Sequence, residues 1–168
     1  MTLLDAPRFD EAADRRKRII LWSSAGTFCA IVIAIWIVAG FPVDWPWNWM
    51  AHLRGRATIN RFLDDVQKND MTAAYGVWLH DPHWQQRPPT KNDTGYTFAR
   101  FQEDWSPSSD QNEYGAVKSH LIAAGRMNGN VLVVGIYING SRAKPLFLAY
   151  DPKAKTLTFS PVELYLGP

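Results

Sequence analysis

The sequence predicts an α+β protein: a single N-terminal transmembrane helix, then a domain of about three helices packed on an antiparallel sheet. Three observations carry this. Residues 19–41 form an uncharged apolar run. Between residues 49 and 105 apolar side chains recur at helical spacing. Beyond residue 113 the period falls to two, and Asn-Gly pairs stand at 128–129 and 139–140.

The run Ile19–Phe41, IILWSSAGTFCAIVIAIWIVAGF, has 23 residues and no charged side chain. At about 1.5 Å per residue it spans the ~30 Å hydrocarbon core of a bilayer. Ser23, Ser24 and Thr27 are tolerated there because their hydroxyls bond back to the helix's own carbonyls. Pro42 is expected to end the helix. The run is too long for a signal-peptide core, and Phe-Pro-Val-Asp-Trp is a poor cleavage site. Arg15, Arg16, Lys17 and Arg18 flank one end, whereas no basic residue follows the other until Arg54. The positive-inside rule therefore puts the basic tail, residues 1–18, in the cytoplasm. Trp22 falls near the inner interface, and Trp45, Trp47 and Trp49 suit the outer one. Residues 42–50 read as a short, stiff Pro/Trp linker.

The folded domain is expected over residues 51–168. Its first helix starts at Trp49 and runs to Lys68, with Ile59, Phe62, Leu63 and Val66 on one face. Asn69-Asp70 breaks it, and Asp70 is suited to cap the next helix, Met71–Leu79. Residues 80–95 read as a loop rich in proline and polar groups. Tyr96–Trp105 reads as a third helix, with Thr94 as a cap and Phe98, Phe101 and Trp105 at helical spacing. Strands are expected over 114–125, 130–139, 145–150 and 156–160. Short turns between consecutive strands make an antiparallel meander, and helices before sheet make the class α+β.

Composition bounds the function. Charged residues are 20% of the 168, and the formal net charge of +2 carries no basic stripe beyond the tail, so no nucleic-acid partner is implied. The lone cysteine, Cys29, allows no internal disulfide and lies in the apolar run. No cofactor motif, phosphate loop or nucleophile elbow is present. His80, Asp81 and His83 come from one turn around Pro82 and do not make a metal site. Glu103 and Asp104 point about 100° apart on a helix, which makes them a solvated end rather than a paired acid. Tyr75 and Trp78 read either as core aromatics or as pocket lining, with Phe98, Phe101 and Trp105 beside them. His120 is the one strand residue suited to act as a base. Alternation groups it with Lys118 and Ile122, opposite Val117, Leu121 and Ala123, which look like the buried side. His120 is therefore expected to face solvent. No catalytic residue is assigned.

The element order, with FLDDVQKNDMTAAYGVW at 62–78, FARFQEDW at 98–105 and TFSPVEL at 158–164, resembles the nuclear transport factor 2-like (cystatin-like) superfamily. The likeness extends over about residues 51–166 and is nearest to bacterial membrane-anchored members. It implies a cone-shaped domain in which helices and a curved sheet enclose a cavity. It carries no activity, because such folds serve as enzymes, binding domains and scaffolds. Its isomerase and dehydratase members need a carboxylate or an Asp–His pair inside the cone. Here Glu113, Asp151 and Glu163 lie at strand ends or turns. The expectation is a non-enzymatic, single-pass protein of a bacterial inner membrane. Its periplasmic domain would bind an envelope protein partner, the alternative being a small ligand in the cone.

Overall fold

The computed structural model describes residues 11–86 and 95–167, and the chain divides into two compact units after Val38. The first unit is one helix, α1 (Glu11–Val38). One stretch of it is long and apolar enough to cross a membrane, and none of that stretch is buried within the protein. Ser23 and Ser24 donate to the carbonyls of Ile20 and Leu21 at 3.0 and 2.9 Å, and Thr27 donates to that of Ser23 at 2.9 Å. Their polarity is thereby satisfied inside the helix. The helix stops at Val38, short of Pro42. Gly40 and Phe41 take positive φ values of 83° and 54°, the left-handed conformation in which helices commonly end. The basic run Arg15–Arg18 continues the same helix rather than forming a separate tail.

The second unit opens with a single 3₁₀ turn, Pro46–Asn48, followed by α2 (Trp49–Gln67), α3 (Met71–Trp78) and α4 (Phe98–Trp105). A four-stranded antiparallel sheet follows in the order β1 (His120–Asn128), β2 (Val131–Ile138), β3 (Ser141–Tyr150), β4 (Leu157–Phe159). The α2–α3 corner forms as its residues dictate. Asn69 is left-handed, and the Asp70 carboxylate accepts the Ala73 N–H at 3.0 Å. The start of α4 is capped by Thr97, which accepts from the Arg100 N–H. Thr94, expected in that role, lies outside the described residues.

Both hairpins form, by different turns. Asn139 and Gly140 are both left-handed, as a type I′ turn needs. In the first, Asn128 already pairs with Val131, so the loop is Gly129-Asn130, and of these two only Gly129 has positive φ. Residues 114–119, expected in β1, are held otherwise. The Asn139 side chain accepts from the N–H groups of Lys118 and Ser119 and donates to the Ala116 carbonyl. It satisfies their backbone without a ladder.

The core lies between the helices and one sheet face. Ile59, Phe62, Leu63 and Val66 of α2 meet Leu132, Val134, Ile136 and Ile138 of β2 and Leu146, Leu148 and Tyr150 of β3 within one buried cluster. Gly55 lets α2 approach the sheet closely, since a Cβ there would sit 2.5 Å from Leu132 Cδ2. On the opposite face the C-terminal segment covers Gly135. A Cβ at that glycine would lie 2.6 Å from Leu166 Cδ2, and the Tyr137 hydroxyl donates to the Leu166 carbonyl.

Residues 42–50 belong to this unit rather than linking to it. The Asp44 carboxylate lies 2.7 Å from His52 Nε2 and accepts the Met127 N–H at 3.1 Å. The Trp49 indole N–H donates to the Asp44 carbonyl. One acidic residue thus joins the segment before α2 to α2 itself and to the end of β1.

Candidate functional site

Helical spacing gathers the predicted aromatic residues, and burial shows where they go. Trp78, Phe101 and Trp105 are nearly inaccessible, and Tyr75 is buried beside them. Phe62 is their hub, with ring centroids 5.4 Å from Trp78, 6.1 Å from Phe101 and 4.9 Å from Trp105. Phe98 packs on Tyr75 and Trp84 at the rim. Such tilted and edge-on pairs are favourable ring geometries. These side chains fill one another's contact surface, so the aromatic residues form core in the space where a cone cavity is expected.

A polar chain runs beside them. The Tyr75 hydroxyl donates to the Tyr96 carbonyl at 2.6 Å, and the Tyr96 hydroxyl donates to Asp104 at 2.5 Å. Asp104 is therefore engaged and part-buried, not merely a solvated helix end. Burial first, then the Asp104 hydrogen bond and charge, push the Tyr96 phenol well above its usual range. Burial and then Glu113 push the Tyr114 phenol up in the same direction.

His120 does not face solvent as its neighbours' alternation suggested. Its side chain is 13% exposed, while Leu121 is 64% exposed. His120 and Ile122 pair with Ile138 and Ile136, whose side chains are buried in the core. A bulge between Ile122 and Ala124 then shifts the register, so that Gly125 and Met127 take over the inner face. Val117 is buried, but it precedes the strand and does not report its parity.

Among the described residues, three surface clefts that draw on charged side chains stand out. The largest, about 570 Å³, lies at the α2–α3 corner between Arg61, Asp70, Gly76, His80 and Trp84. Two of its polar groups are engaged: Asp70 caps α3, and the Trp84 indole donates to the Thr72 carbonyl. A second, about 280 Å³, is lined by Asp104, Trp105, Glu113, Tyr114 and Phe159. The third, about 380 Å³, separates α2 from β1 and is lined by Arg56, Asn60, Asp64, His120, Leu121 and Ile122. Asp64 Oδ1 lies 3.9 Å from His120 Nε2, while His120 Nδ1 is buried without a partner. Burial lowers the pKa of the Arg56 guanidinium. Of the residues predicted to line a pocket, only Trp105 and His120 reach a cleft described here.

Asp64 and Arg56 read in the sequence only as the polar side of an amphipathic helix. Their spacing of eight residues was the available signal, but nothing local indicated that β1 would run alongside. Among the described residues no three His, Cys, Asp or Glu side chains group as a metal site. His80 and His83 are exposed, and Asp81 accepts the His83 N–H. Trp45 and Trp47 stack face to face at 5.0 Å and remain largely exposed, whereas Trp49 is partly covered. No protein-family model, curated protein or solved structure matches the chain.

Proposed function

We propose that this chain is a bitopic protein of a bacterial inner membrane. Its helix crosses once with the basic end in the cytoplasm. Its second unit, a nuclear transport factor 2-like domain, stands in the periplasm and binds a partner protein without catalysing a reaction. It acts as an accessory or assembly subunit of a membrane complex. The observation that carries this reading is the filled interior around Phe62. A domain whose core is occupied by its own rings offers its exterior for recognition. The exposed Leu121 on the edge strand, and Trp45 and Trp47 close behind the span, supply apolar surface for that purpose. The element order and the basic flank support the family and the orientation.

A photo-reactive residue at Leu121, in the full chain expressed in its native membrane, tests this. One discrete heavier adduct, absent when the same group replaces the buried Ile122, is expected. Failure to form any adduct, together with a monomer as the sole species in mild detergent, would contradict it. The Asp64–His120 pair in an open cleft favours a second reading, small-molecule recognition. It moves the ligand from the cone interior to the α2/β1 surface.

A further inference from the structure

We infer that the cleft between α2 and β1 binds a small carboxylate-bearing molecule, with Arg56 as its anchor and Asn60 as a second donor. Arg56, Asn60 and Asp64 recur at i, i+4 and i+8, so one helix face presents them in a row opposite His120 and Ile122. Arg56 is partly buried, yet no ion pair forms to it among the described residues. A desolvated cation without a counter-ion is unfavourable, and an anion placed against it relieves that cost.

Gly40, left-handed at φ 83°, lies directly against the guanidinium, and a Cβ there would come within 2.6 Å of Arg56 Nη1. A planar fork suits the two oxygens of a carboxylate. Asn60 lies one turn further along and offers an amide donor. The far end of the cleft carries Asp64 with His120, so negative charge is favoured only at the Arg56 end. That polarity selects a singly charged acid over a multiply charged phosphate. A volume of about 380 Å³ suits a small organic molecule. Such a ligand rests on the small-molecule reading of this cleft and not on a protein partner.

The full chain in detergent micelles, labelled with ¹⁵N at the arginine and asparagine side chains, is titrated with acetate, inorganic phosphate, and methylammonium as the charge-reversed control. One arginine resonance, identified by its loss in Arg56→Met, is expected to shift saturably with acetate. Arg56→Met should weaken acetate binding, followed on the Asn60 side-chain amide, at least about tenfold. Arg56→Lys, which keeps the charge but not the fork, should weaken it less. Gly40→Ala should weaken it with Arg56 in place, and Asp64→Asn should strengthen it. Near-UV circular dichroism verifies that each variant is folded. A non-saturable response, an equal response to methylammonium, or unchanged binding in Arg56→Met would overturn the site. Tighter binding of phosphate than of acetate would overturn its assignment to a carboxylate.

Discussion

At the scale of single residues, two carboxylates tie separate elements together. Asp44 fixes the segment before α2 by holding the buried His52 and the Met127 N–H together. Asp44→Ala leaves His52 without that partner. It should destabilise the domain by about 2 kcal/mol, with Asp44→Asn costing less, as read from urea unfolding. Asp104 acts through Tyr96. The phenol's folded pKa lies above its unfolded value, so the folded state retains the proton more strongly. That contribution is fully present below the unfolded pKa of about 10 and is lost as pH rises through the folded pKa. Unfolding midpoints measured between about pH 9 and pH 11 should therefore fall with pH, and Tyr96→Phe should flatten the decline. An equally steep decline in the variant would assign the effect to other groups.

At the scale of elements, close approach of α2 to the sheet governs the packing. A Cβ on Gly55 would meet Leu132 at 2.5 Å and Tyr150 at 2.9 Å. Alanine is the better helix former by about 1 kcal/mol, but overpacking a closed core costs about 1–3 kcal/mol. Gly55→Ala should therefore lower the thermal midpoint, whereas Gly26→Ala, with open space around it, should leave the domain's midpoint unchanged. What the sequence disclosed follows the same division between local and distant causes. The Asp70 cap and the Asn139-Gly140 turn were legible because each is decided within four residues. The amphipathic face of α2 was legible from period alone. The orientation of His120 was not, because the bulge at Ile122/Ala124 and the Asn139 side chain change the strand's parity and its start. The role of Asp44 was hidden because Met127 lies 83 residues away.

At the scale of the whole molecule, the two units have opposite solvent requirements. No residue in the apolar stretch of α1 is buried, while the second unit carries its own buried core. An unburied apolar helix of this length is stable in lipid, where every backbone group is satisfied within the helix. The proposed role requires that this helix cross the bilayer once with the basic end inward. The most direct measurement is accessibility of a cysteine placed at Ser108, on the exposed loop after α4, in a Cys29→Ser background. The account predicts that a membrane-impermeant maleimide labels it in intact spheroplasts, to the same extent as after lysis. Labelling that appears only after lysis would contradict the orientation and, with it, the proposed periplasmic partner.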